Sequence, residues 1–156
     1  MKKTVIAVFA AASACTAAPE APEDSARLRS EVEAFLESYR AAADEPDTAA
    51  LRTMYVDDGR FEWIEDGRVS YDSPDAVLAA IAGLSGSFRM ETEYDRVVVK
   101  PVGNDGAVAA MRFVTSMGEG SATYAFSGMV TLVIERGPAG WQIVTGHAST
   151  ARPDGR

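Results

Sequence analysis

The chain reads as an α+β domain: helices come first and strands last. Three observations predict this. Between Leu28 and Ala43, apolar side chains recur at three- and four-residue steps and form one buried stripe. From Phe88 onward the period changes to two, with Phe88, Met90, Thr92 and Tyr94 alternating with Arg89, Glu91, Glu93 and Asp95. Four such strands follow one another through short turns, which argues for an antiparallel, strongly curved sheet. Wrapped around a long first helix, that sheet makes a cone with an apolar interior.

The elements follow in order. Met1-Lys2-Lys3 is basic, and Thr4 to Ala14 is apolar or small. This stretch is shorter than the ~20 residues a spanning helix takes and suits the hydrophobic part of an export signal, residues 1–14. The segment ends Ala12-Ser13-Ala14-Cys15. Small residues before the cut suit an ordinary signal peptidase, and a cysteine just after it resembles a bacterial lipobox, whose thiol is acylated. The lipobox usually carries leucine where Ala12 stands. A soluble periplasmic protein with an incidental Cys15 is the other reading. Cys15 is the single cysteine of the 156 residues, so an internal disulfide and a thiolate zinc site are excluded. Residues 15–24, rich in Pro, Ala and acid, read as a flexible tether. The domain proper spans 25–150, close to the commonest domain size, and 151–156 read as a disordered tail.

The first helix is expected over Ser25 to Asp44, with Leu28, Val32, Phe35, Leu36, Tyr39 and Ala43 buried, and Pro46 stopping it. Asp47 offers an N-cap for a short helix from Thr48 to Tyr55. Strands at Arg60–Ile64 and Arg68–Tyr71, joined through Asp66-Gly67, predict a small hairpin. Ser73-Pro74 heads a third helix that ends at Gly83. A strand carrying Ala107, Ala109, Met111, Phe113 and Thr115 on one face follows Asn104-Asp105-Gly106. The turn at Gly118-Glu119-Gly120 leads into a long strand, in which Gly128 marks a bulge or bend. Gly137-Pro138-Ala139-Gly140 leads into the last strand, Trp141 to Thr150.

Residues 55–63, Tyr-Val-Asp-Asp-Gly-Arg-Phe-Glu-Trp, join the second helix to the first strand through an acidic pair. This junction resembles that of the nuclear-transport-factor-2-like superfamily. The order of elements from 25 to 150 resembles its cone, and the closing Gly140-Trp-Gln-Ile-Val-Thr-Gly-His-Ala-Ser149 resembles the last strand of its SnoaL-like members. The resemblance implies a cone-shaped fold with three N-terminal helices on a mainly antiparallel sheet. It also implies frequent homodimers through the sheet face. In the ketosteroid isomerases of this group a base sits a few residues past the acidic pair; here Trp63 stands in that region and cannot accept a proton. Glu62 is expected on the opposite face. The carboxylic acid those enzymes place on a late strand has no counterpart among Ser127, Met129 and Thr131. Tyr39 lies at a distance from Asp57-Asp58 that resembles the isomerase oxyanion tyrosine, and equally suits a core position.

His147, the only histidine, shares strand parity with Trp141, Ile143, Thr145 and Ser149. If those point into the cone, His147 does too, as an acid–base group or as a structural donor to a carbonyl. Trp63, Tyr55, Tyr124 and Trp141 are the expected pocket walls. Asp57 and Asp58 are expected to cap their turn and meet Arg60. Arg112, a lone charge in an apolar strand, either clamps a ligand carboxylate or lies on the solvated or dimer face. No metal or cofactor is expected. The 15 basic and 23 acidic residues give a net charge of −8. Taking Lys2 and Lys3 away from the 15 with the leader makes it −10, which repels nucleic acid.

These readings point to an exported, lipid-anchored domain that holds a small apolar ligand or a protein partner. The alternative is an isomerase, dehydratase or cyclase acting on a carbonyl compound through His147 and Tyr39. A third reading is a structural module of the envelope.

Overall fold

Helix α1, Pro22–Asp44, begins a turn earlier than its apolar stripe requires, because Glu23 and Asp24 in its first turn complement the helix dipole. The structure is a computed structural model and describes residues 22–45, 47–85, 89–119 and 122–151. The leader, Cys15, Pro46, Phe88, Gly120 and the tail after Ala151 lie outside the described residues, as do residues 15–21 of the expected tether, whereas its residues 22–24 belong to α1. Leu28, Val32, Leu36 and Tyr39 of α1 are buried, as their spacing demands.

Helix α2, Thr48–Thr53, is capped by Asp47, whose carboxylate accepts from the Ala50 N–H at 3.0 Å. It stops two residues before the expected Tyr55 because the chain is taken up by the sheet. Ile143 donates to the Met54 carbonyl at 2.8 Å and accepts from Val56 at 3.1 Å, so Tyr55 becomes a β-bridge. Strands β1, Glu62–Glu65, and β2, Arg68–Tyr71, form the predicted hairpin. Asp66 and Gly67 both have positive φ, 46° and 83°, as a two-residue turn matched to strand twist requires. Helix α3, Pro74–Ser85, runs on past Gly83.

Strands β3, Arg89–Val102, β4, Gly106–Glu119, β5, Ala122–Gly137, and β6, Gly140–Thr150, form an antiparallel meander. The hairpin joins it through a parallel β1–β6 ladder, giving one curved six-stranded sheet in the order β2-β1-β6-β5-β4-β3. Helices pack on its inner face, where Leu51, Tyr55, Phe61, Met111, Leu132, Ile134 and Ile143 are almost fully buried. The fold is the α+β architecture expected, with the hairpin incorporated as the sheet's edge.

Three register shifts set which side chains face inward; in the hairpin, Trp63 pairs with Tyr71 but Ile64 pairs with Val69, so Ser70 is an extra residue. Between β5 and β6, Ile134 pairs with Ile143 but Val133 pairs with Thr145, so Val144 is an extra residue. Between β3 and β4, Arg96 and Val97 are inserted opposite Met111, with Arg96 at φ 49°. Each shift reverses the alternation beyond it and bends the strand. Gly128, expected to mark a bulge, sits in unbroken register with Phe113 and Thr150. Its role is close approach: a Cβ there would stand 2.2 Å from the Ser149 carbonyl and 2.7 Å from the Phe113 ring.

Candidate functional site

At one end of the inner face the sheet and helices enclose a cavity of about 220 Å³. Its walls come from five parts of the chain. Helix α1 contributes Tyr39 and Ala43, and α3 contributes Val77, Ala80 and Ile81. The hairpin contributes Trp63, Glu65 and Tyr71. Strand β3 contributes Met90, Thr92 and Tyr94, whose alternation is intact up to the insertion at Arg96. Phe113, Thr115, Phe126, Val130 and Ala148 complete the sheet wall.

Several polar groups around this cavity pair with one another. The Tyr39 and Tyr55 hydroxyls lie 2.9 Å apart, both buried, with the rings edge-to-face at 6.0 Å. Tyr55 stands edge-on to Phe61 at 5.0 Å. Burial disfavours the phenolate and raises Tyr39 well above its usual range, while it pushes Tyr55 up to about 12. Burial raises Tyr94 too, with Tyr39 and Asp44 adding to the effect. The Thr92 and Thr115 hydroxyls pair at 3.1 Å across the strands. Behind them, Asp44 accepts from the Thr92 N–H and from Arg40, both at 2.9 Å. Burial outweighs these contacts and raises its carboxyl.

Trp63 is held by two contacts. Its indole N–H donates to Glu65 Oε1 at 3.1 Å, and its ring lies where a side chain on Gly146, its partner on β6, would project. A Cβ at Gly146 would stand 2.1 Å from the indole, so glycine there is what admits the ring. Glu65, two residues on, shares the inner face of β1 and is the one charged side chain among those lining the cavity. The sequence reading passed over Glu65, although simple alternation from Trp63 marks it.

Four expectations about side chains change. His147 is exposed and faces outward beside Thr131, because the extra residue Val144 reverses the parity carried from Ile143. Instead Gly146 and Ala148 face inward, opposite Leu132 and Val130. His147 lines an open groove with Asp66, Ser127 and Ser149, and is not brought together with Tyr39. Tyr124 is 66% exposed, stacked on Phe126 at 6.0 Å, and lines that same groove. Trp141 pairs across the turn with Arg136, whose guanidinium sits 4.3 Å over its ring, and lies outside the cavity. Tyr55 lies behind Tyr39 as its hydrogen-bond partner and is not a wall residue.

Other residues fall into place around these. On β5 the inward positions are Phe126, Gly128 and Val130, so Ser127, Met129 and Thr131 belong to the other parity. Asp58 binds Arg60 as expected, and Arg60 also bridges to Glu135. Asp57 pairs with Arg52 instead, at 2.6 Å. Arg112 lies on the outer face and pairs with Asp95 at 2.6 Å. Among the described residues no group of three or more His, Cys, Asp or Glu is placed to hold a metal ion.

The model of the SnoaL-like domain family matches residues 32–153. Comparison with curated proteins gives no match. Among solved structures, an NTF2-like protein with a cystatin-like fold from Novosphingobium aromaticivorans is 23% identical, with TM-score 0.68, covering 82% of this chain and 88% of that one. An NTF2-like protein from Rhodospirillum rubrum, described as of unknown function in nutrient uptake, is 25% identical with TM-score 0.64, covering 76% and 97%. A protein of the NTF2-like family from Streptomyces avermitilis, provisionally named a dehydratase, is 18% identical with TM-score 0.69, covering 79% and 95%. With the cone, the helix order and the family match in agreement, the chain belongs to the SnoaL-like domain family of the NTF2-like superfamily.

Proposed function

We propose that this domain binds a small, largely apolar ligand in the cavity walled by Trp63, Tyr71 and Tyr94. The observation that carries the reading is the wall itself. The cavity is open to solvent at one end, and aromatic and aliphatic side chains dominate its lining. A few large rings around one small volume are the usual make-up of a small-molecule site. Trp63 stands where an isomerase would place its base, and it acts as a surface for stacking.

A dehydratase or isomerase is the second reading, favoured by the provisional name of the Streptomyces avermitilis relative. The pair first considered for it, His147 and Tyr39, opens on different sites. Within the cavity, Glu65 is the one carboxylate among the lining residues, and no histidine stands beside it. Binding without turnover therefore has the better support.

The same proposal places the protein in the cell envelope, exported by residues 1–14 and anchored through a lipid on Cys15, with residues 15–21 as tether before α1. It also includes pairing with a second copy through the outer sheet face, where Val98, Met129 and Val133 are exposed. A thermal-shift screen of small aromatic and alicyclic compounds tests the ligand reading. Compounds that raise the midpoint should do so less in Trp63→Ala and equally in His147→Ala. A hit lost in His147→Ala but kept in Trp63→Ala would move the site to the outer groove.

A further inference from the structure

The cavity joins two features that an apolar ligand alone does not use together. Rings from six elements converge on it: Tyr39, Trp63, Tyr71, Tyr94, Phe113 and Phe126. The single charge among the lining residues is the Glu65 carboxylate, and no Lys, Arg or His is among them. Neither guanidinium group nearby lies in that lining. Arg40 is bound by Glu37 and Asp44, and Arg68, across the hairpin from Glu65, is exposed and outside the lining.

Resting on the binding reading above, we propose that the ligand of this cavity carries a substituted ammonium group, seated among the aromatic rings and beside Glu65. Three physical terms converge on that class. Aromatic faces present negative charge to a cation, and the attraction grows when the cation is desolvated. Glu65 supplies a formal counter-charge at the hairpin wall, and its Oε1 is oriented by the Trp63 indole N–H. The whole chain carries a net charge of −8, which draws cations and repels carboxylates. A neutral hydrocarbon would leave the Glu65 charge facing it with no counter-ion, only the Trp63 N–H, and an anion would meet no cation in the wall.

The test compares two probes of the same shape that differ in charge: choline and its carbon analogue 3,3-dimethylbutan-1-ol. Each is titrated into the full chain carrying Trp141→Phe, so that Trp63 alone reports by fluorescence, with calorimetry alongside. Choline is expected to bind about tenfold more tightly than the neutral probe. Glu65→Gln keeps an acceptor for the Trp63 N–H and should shrink that preference several-fold, leaving only the share contributed by the rings. Equal or tighter binding of the neutral probe overturns the ammonium proposal and leaves the cavity reading standing. A choline preference undiminished in Glu65→Gln overturns the part assigned to Glu65. Failure of both probes at millimolar concentration overturns the proposal and the cavity reading together.

Discussion

Tyr39 and Tyr55 show how single residues are constrained beside the cavity. Each hydroxyl has the other as partner in a place where water does not reach, so neither can be removed alone without stranding its mate. Tyr39→Phe is expected to lower unfolding free energy by about 1–3 kcal/mol in urea titration. The double variant Tyr39→Phe/Tyr55→Phe should cost clearly less than the two single changes added, because it leaves no orphaned hydroxyl. Alkali gives a second view of the same pair. Both pKa values are raised in the fold, so these groups hold their protons while the unfolded chain loses them. Their contribution is complete below the unfolded value of 10.0 and is lost as pH climbs from there through the folded values, about 12 for Tyr55. Stability followed by circular dichroism should therefore fall above about pH 10, and less steeply in the double Phe variant. A flat alkaline profile would remove burial of these phenols as the cause.

At the scale of elements, the β-bulge at Val144 decides more about the site than any one side chain. Upstream of it Ile143 packs inward; downstream, Gly146 and Ala148 do so while Thr145, His147 and Ser149 turn out. Deleting Val144 would restore a plain alternation, drive His147 and its polar neighbours toward the core and deprive Trp63 of the space above Gly146. Each polar group buried without a partner costs about 1–3 kcal/mol. The deletion is thus expected to lower the melting temperature far more than Val144→Ala, which keeps the register. Near-equal melting temperatures for the two would show that β6 tolerates either phase. The bulge also explains why His147 seemed to belong to the cavity: period-two reasoning is sound within a strand and fails across an inserted residue. Element types, by contrast, were legible throughout. Caps such as Asp47, the Asp66-Gly67 turn and the apolar stripe of α1 are local devices, and local physics suffices to read them. Ends were less legible where a distant strand intervened, as when Ile143 draws Tyr55 out of α2.

For the whole molecule, one face of the sheet is covered by helices and the other is open. Val98 and Met129 are each 46% exposed on that open face, and Val133 is 43% exposed. If a second copy covers them, the double change Met129→Lys/Val133→Lys should turn a dimer into a monomer in sedimentation analysis, with the fold retained. A wild-type chain that already sediments as a monomer at micromolar concentration would end the pairing proposal. At the other end of the chain, acylation of Cys15 predicts incorporation of a labelled fatty acid in a bacterial host, lost in Cys15→Ser. Unlabelled wild-type protein would leave only the soluble periplasmic form. No helix among the described residues is long and apolar enough to cross a membrane.

By itself, the sequence determined the α+β class, the order and kind of the elements, the buried stripe of α1 and the family. Each rests on spacing along the chain, which needs no knowledge of what packs against what. Only the tertiary structure decided which residues share the cavity. It brought Tyr39, Trp63 and Glu65 to one cavity and sent His147, Tyr124 and Trp141 elsewhere. The reason is physical: residues inserted in paired strands reverse which face a side chain occupies, and an insertion is defined by its partner strand.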